Sequence, residues 1–161
     1  KTAAKNLKKE AILRNVDPKR IIFAKHMKIS DHLARHKVAD LFIDTFPFTA
    51  ATAASDSLWS GLPLLTRVGE SFVSRVAASL LNSIELPELI TYTKKEYENK
   101  AIELANNKQM LREIKNKLIK NKNTKPLFNT KLLTNNLEMA YLKIYQKYLN
   151  DEKPCNIEIK N

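Results

Sequence analysis

Short continuous apolar runs punctuate the first part of the chain: Ile21-Ile22-Phe23, Leu41-Phe42-Ile43, Leu62 to Leu65 and Leu89-Ile90. Each is too short for a helix and is bounded by polar or turn-forming residues, the pattern of strands buried on both faces of a parallel sheet. Strands are therefore predicted at 20–24, 41–43, 62–66 and, weakly, 89–91. Between them the apolar spacing is helical. Residues 3–14 carry Ala4, Leu7, Ala11 and Leu13, and Asn15-Val16-Asp17-Pro18 stops that helix. Ser30 and Asp31 are candidate caps for a helix over 31–38. Thr52 opens a small-residue helix. Gly69 provides a turn, and Ser71 caps a helix over 72–82 that presents Val76, Ala77, Ala78, Leu80 and Leu81 for close packing on a sheet. After Thr93 the spacing becomes that of charged amphipathic helices over 93–107 and 108–122. Pro126-Leu127-Phe128 interrupts, and a last helix over 130–149 has Leu132, Leu133, Leu137, Ala140, Tyr141 and Ile144 as its apolar stripe. The tail from Asp151 is polar and expected to fray.

This order of elements predicts a doubly wound α/β domain: a partial Rossmann-like parallel sheet with C-terminal helices. The partition is 1–92 for the sheet-containing part, 93–149 for the helical part and 150–161 for the tail. Four short strands, with none before the first helix, are few for such a sheet, so the chain reads as a piece of something longer.

The organising stretch is 40–61. A strand ends at Asp44, a loop containing Pro47 follows, and a helix begins at Thr52 with Asp56 one turn in, Trp59 on another face, and Leu58 and Trp59 as core anchors. The first amides of a helix lack intrahelical acceptors and the dipole favours negative charge there, so strand, loop and helix start together predict an anion site at the carboxyl edge of the sheet. With 2 glycines in 161 residues, no glycine-rich phosphate loop exists. Phosphate binding has to rest on helix N-termini and side chains.

Net charge is +11 with pI near 9.7. Lys far outnumbers Arg and is spread over the helices and tail among Asn, Glu and Ile, which is the composition of solvated helix faces; nucleic-acid binding is not expected. The lone Cys155 cannot form an intrachain disulfide and suits a reducing, cytoplasmic setting. No membrane-spanning run or signal peptide is visible, so no membrane partner is expected. His32 and His36 are spaced i, i+4 with His26 nearby, but no Cys or nearby Glu completes a ligand set, and no metal is expected.

Several motifs in order resemble one family. They are Arg20-Ile21-Ile22-Phe23, His32-Leu33-Ala34-Arg35, Ala39 through Thr45, Asp56-Ser57-Leu58-Trp59-Ser60-Gly61-Leu62-Pro63, Gly69 through Ser79, Leu89-Ile90, Glu96-Tyr97-Glu98 and Pro126 through Lys131. From about residue 5 to about 148 the chain resembles the C-terminal catalytic region of the O-linked N-acetylglucosamine transferases, SPINDLY-like proteins included. The resemblance implies the second domain of a two-domain GT-B glycosyltransferase. Its donor is a nucleotide sugar, usually UDP-N-acetylglucosamine, with GDP-fucose used by plant SPINDLY proteins. Its acceptor is a Ser or Thr hydroxyl of a protein. It implies an upstream catalytic domain, tetratricopeptide repeats before that, and no protein-held metal.

Carried over residue by residue, the resemblance implies donor-nucleotide contacts at Met27 (through its backbone), His32, Arg35, Thr52, Ala53 and Asp56. Thr52 would meet the diphosphate and Asp56 the ribose hydroxyls, because a carboxylate can accept two hydroxyl protons at once. It assigns no catalytic residue. Departures fall at the loop: Ala51 and Ala53 stand where many family members have His and a second Thr, and Ile29 where they have Lys. A non-catalytic binding or scaffold module with a degenerate donor site is the alternative. Arg75 is expected to tether its helix to the preceding loop.

Overall fold

A computed structural model describes residues 2–159. The chain divides into two compact units, Lys1–His32 and Leu33–Asn161. In the first, helix α1 (Thr2–Leu13) ends as its stop signal predicts: Asn15 adopts φ 58°, and the Val16 amide donates to the Ala11 carbonyl at 2.9 Å. Asp17 then caps a 3₁₀ turn over Pro18–Arg20, accepting from the Lys19 amide at 2.9 Å. That turn takes in Arg20, and residues 21–28 follow without regular structure, so the strand predicted at 20–24 is not formed among the described residues. An apolar run becomes a strand only when a ladder partner accepts it, and Ile22 is 86% exposed. Lys8 of α1 places its Nζ 6.0 Å from the Phe23 ring centroid. Helix α2 (Ile29–Arg35) starts one residue before the expected caps, placing Ser30 and Asp31 within its first turn, and a 3₁₀ turn over His36–Val38 completes it.

The second unit contains a parallel three-stranded sheet ordered β1 (Phe42–Ile43), β2 (Leu64–Arg67), β3 (Ile90–Thr91). Phe42 pairs with Leu64 and Ile43 with Leu65; Thr66 pairs with Ile90 and Arg67 with Thr91. Helices α3 (Thr52–Trp59) and α4 (Val76–Ser83) form the two crossovers. The predicted 72–82 helix is split: Phe72–Ser74 is a 3₁₀ turn and α4 proper starts at Val76. Helices α5 (Lys94–Asn106) and α6 (Lys108–Thr124) follow, then a 3₁₀ turn over Pro126–Phe128 and α7 (Thr130–Leu149).

Leu58 of α3, Leu64 of β2, Leu81 of α4, Leu104 of α5 and Leu118 of α6 are fully buried together. Fully burying a side chain of this size stabilises the fold by about 1.5–3 kcal/mol. Asn121, also buried, donates from Nδ2 to the Ile84 carbonyl at 2.8 Å, satisfying an orphan at the end of α4. Helix α5 carries a capping box: the Glu96 amide donates to Thr93 Oγ1 at 3.1 Å, and Glu96 accepts from the Tyr92 and Thr93 amides. Those two backbone donors lower the Glu96 pKa.

Helices α3 and α4 both end through a residue with positive φ, and one of the two is a glycine. Gly61, at φ 83°, closes α3 with the two reversed bonds of a Schellman end, Leu62 amide to Ser57 carbonyl (2.9 Å) and Gly61 amide to Leu58 carbonyl (3.1 Å). Helix α4 ends the same way through Glu85 at φ 57°, with Leu86 amide to Leu81 carbonyl at 2.8 Å.

Helix α7 differs from its prediction. It has no buried residue, and Leu133, Leu137, Tyr141 and Ile144 of the expected stripe are all exposed. The amphipathic pattern is present, but nothing among the described residues covers it.

Candidate functional site

All three strands run parallel, so the β1–α3 loop (44–51) and the β2–α4 loop (68–75) lie together at the carboxyl edge of the sheet. One carboxylate organises the first loop. Asp44 is buried; its Oδ1 accepts from the Thr45 amide at 2.8 Å and the Ala50 amide at 2.9 Å, and its Oδ2 accepts from Thr66 Oγ1 of β2 at 2.7 Å. The carbonyl of Asp44 accepts from Tyr97 Oη of α5 at 2.6 Å. Burial and the nearby Asp44 charge push the Tyr97 phenol up to about 12. The Phe46–Pro47 bond inside this loop is cis.

Thr49 joins the two loops. Its amide and its Oγ1 both donate to the Val73 carbonyl, at 3.1 and 2.6 Å. Gly69 sits beneath them for a steric reason: a Cβ there would lie 2.7 Å from Ser74 Oγ and 3.0 Å from Phe46 Cε2. The turn therefore needs a residue without a side chain because its neighbours are close. Ser71 does not cap through its side chain as predicted; its Oγ donates to Ser74 Oγ at 3.0 Å. Arg75 donates to the Glu70 carbonyl, the helix–loop tether expected from sequence.

Helix α3 leaves this scaffold at Thr52. Its N-cap is Ala51, which offers no side-chain acceptor, so the first-turn amides receive no cap hydrogen bond from that residue. Thr52 and Ala53 are exposed and Asp56 is partly buried. Ala54, Ser57 and Leu58 form the inward face, which puts Thr52, Asp56 and Trp59 together on the outward one. Trp59 is thus on the same face as Asp56, not another, and at 50% exposed it is not a core anchor, whereas Leu58 is. The Trp59 ring meets Phe128 edge-on at 5.1 Å, and Lys122 Nζ lies 4.9 Å from it.

Arg35, partly buried at the end of α2, lines a hollow of about 330 Å³ with Ala39, Leu41, Ile43 and Leu62. A larger groove of about 780 Å³ runs along β1 and helices α5 and α6, lined by Asp40, Ile43, Leu104, Lys108 and Lys115. Within the first unit, Met27 is exposed in the irregular stretch before α2 and His32 is partly buried inside that helix. Among the described residues no three His, Cys, Asp or Glu side chains gather as metal ligands, and no helix is long and apolar enough to cross a membrane.

The family model for glycosyl transferase family 41 matches residues 1–137. The chain belongs to that family. The chain is 33% identical over 150 residues to an Arabidopsis thaliana protein described as a probable UDP-N-acetylglucosamine–peptide N-acetylglucosaminyltransferase, SEC, covering 92% of this chain and 15% of that one. It is 30% identical over 143 residues to the Caenorhabditis elegans UDP-N-acetylglucosamine–peptide N-acetylglucosaminyltransferase, covering 89% and 12%. Its fold superposes on an O-GlcNAc transferase of Thermobaculum terrenum (a K341M mutant) with TM-score 0.83 and 26% identity, over 91% of this chain and 28% of that one. The family 41 chain described here thus spans about an eighth to a seventh of the length of these curated relatives.

Two features of this corner escaped the sequence reading. Asp44 had the signal of a charge directly after a short apolar run, which marks a strand end, but nothing local showed that it would bind both the loop and β2. Arg67 looked like an ordinary loop residue, and its placement depends on Phe46, which is far along the chain.

Proposed function

We propose that this chain is the donor-binding segment of a protein O-glycosyltransferase, taking the nucleoside diphosphate of a UDP-N-acetylglucosamine-like donor at the carboxyl edge of its sheet. The observation that carries the reading is the start of α3: first-turn amides that Ala51 does not cap stand at that edge, with Thr52 and Asp56 one turn apart on its outward face, in a chain of family 41. In the transfer, a Ser or Thr oxygen of the acceptor attacks the anomeric carbon. The bond from that carbon to the diphosphate breaks, and the nucleoside diphosphate leaves with the electron pair. The α3 amides and the Thr52 hydroxyl face the charge that grows on the diphosphate, and such preorganised donors are where catalysis of this type gains most. Asp56 accepts from the ribose hydroxyls and so fixes the donor's orientation. Arg35 lies on the same unit; Met27 and His32 enter the proposal on the family's pattern. The upstream catalytic domain and the tetratricopeptide repeats of the same polypeptide, with a protein acceptor, complete it, and the exposed thiol of Cys155 suits the cytoplasm.

Ala51 and Ala53 favour a second reading, a scaffold module whose donor site has lost its side-chain donors. Calorimetric titration of the full chain with UDP separates the two. The first reading expects binding that Asp56→Ala weakens roughly 10-fold or more, a larger loss than the change in stability read from melting curves alongside. Absence of UDP binding, or equal affinity in both proteins, makes the scaffold reading the right one.

A further inference from the structure

Arg67 ends β2 at the carboxyl edge of the sheet and is partly buried. Its Cζ lies 3.4 Å from the centroid of the Phe46 ring, so the guanidinium rests directly on an aromatic face contributed by the β1–α3 loop. Such a stack fixes the position of the cation and leaves its N–H groups unspent. Among the described residues no hydrogen bond or ion pair engages this guanidinium. The other groups of the same corner are committed. Arg75 donates to the Glu70 carbonyl, both Asp44 oxygens accept from the loop and β2, and Thr49 is bonded to Val73.

The Phe46 ring is itself held. It is in contact distance of Gly69, whose missing side chain makes room for it. Phe46 belongs to the loop that Asp44 draws in, and that loop delivers the start of α3, which Ala51 does not cap. A preset cation at the end of β2, fully supplied with donors, therefore rests on the loop that leads into a helix start whose neighbours Ala51 and Ala53 supply no side-chain donor of their own. A guanidinium arranged this way matches a phosphate oxygen pair, which it can hold bidentately.

We propose that Arg67, held by Phe46, is a donor-binding residue that contacts the diphosphate of the nucleotide and supplies the side-chain positive charge that Ala51 and Ala53 do not. This rests on the donor-binding reading above. Phe46 is the positioning residue: it orders the guanidinium before the ligand arrives, so less side-chain freedom is lost on binding.

The test titrates UDP, UMP and uridine into the full chain and into Arg67→Met, Arg67→Lys, Phe46→Leu and Asp56→Ala. Arg67→Met keeps the apolar stem and removes the charge. It is expected to weaken UDP roughly 10-fold, UMP less and uridine not at all, with the melting temperature held. Arg67→Lys recovers part of the UDP affinity, and Phe46→Leu loses a few-fold on UDP alone. If Arg67→Met binds UDP as the parent does while Asp56→Ala does not, the donor site stands and the role of Arg67 is wrong. Equal losses for all three ligands in Arg67→Met also overturn it, since the effect is then not at the phosphates. If the parent binds none of the three, both proposals fall.

Discussion

Thr66 Oγ1 donates to Asp44 Oδ2 at 2.7 Å, a hydrogen bond between the middle of β2 and the residue that ends β1. Both residues are buried, so the bond is made away from competing water. It orients the carboxylate so that the other oxygen can accept from the Ala50 amide, 2.9 Å away. The path from β2 to the start of α3 therefore runs through one side chain.

Removing Asp44 would strand the Thr45 and Ala50 amides and the Thr66 hydroxyl at once. Asp44→Ala is expected to destabilise the chain by roughly 2–4 kcal/mol, and Thr66→Val by about 1–2 kcal/mol, since a hydrogen bond to a charged group is the stronger kind. In urea denaturation the double variant should cost less than the sum of the singles, because both remove the same bond. Strict additivity would mean that the two groups act independently.

Tyr97 gives the chain a distinctive alkaline limb. Its folded pKa of about 12 lies above the ordinary value near 10. The unfolded chain therefore loses this proton first, and stability falls as pH rises from about 10 towards 12. The contribution is fully present below pH 10 and is on the order of 1 kcal/mol, allowing for the partial exposure of the ring edge to solvent. Comparing the parent with Tyr97→Phe across that range isolates it from the lysines. The parent should lose more stability than the variant, and parallel curves would show that the phenol does not feel Asp44 or its burial.

Glu85 holds a left-handed conformation that glycine adopts without strain, and its side chain spends itself on an exposed ion pair with Lys125 at 2.7 Å. Exposed pairs contribute little. The conformational cost for a residue with a Cβ is about 1–2 kcal/mol, partly offset by the extra entropy glycine loses on folding, so Glu85→Gly should raise stability by roughly 0.5–1 kcal/mol. Thermal melting reads this directly as a higher midpoint, and a lower one would contradict it.

The sequence by itself determined the elements whose signals are local. Asn15 before Asp17-Pro18 stops α1, Thr93 with Glu96 starts α5, and Pro126 separates α6 from α7. The strand, loop and helix over 42–59 were legible for the same reason: an apolar run, a proline and a small-residue helix occur in immediate succession. Capping and periodicity act over a few residues, so they are written in a few residues.

Tertiary structure decided whatever needs a partner from far along the chain. The run at 21–23 has strand composition but no ladder. Trp59 has the size of a core residue, yet the inward face of α3 is taken by Ala54 and Leu58, so its ring turns out to Phe128 and Lys122. The stripe of α7 is apolar and uncovered. Asp44 and Thr66 are 22 residues apart, and Arg67 finds its ring on Phe46. Burial and long-range hydrogen bonding depend on what the rest of the chain places nearby, and no window of local sequence contains that information.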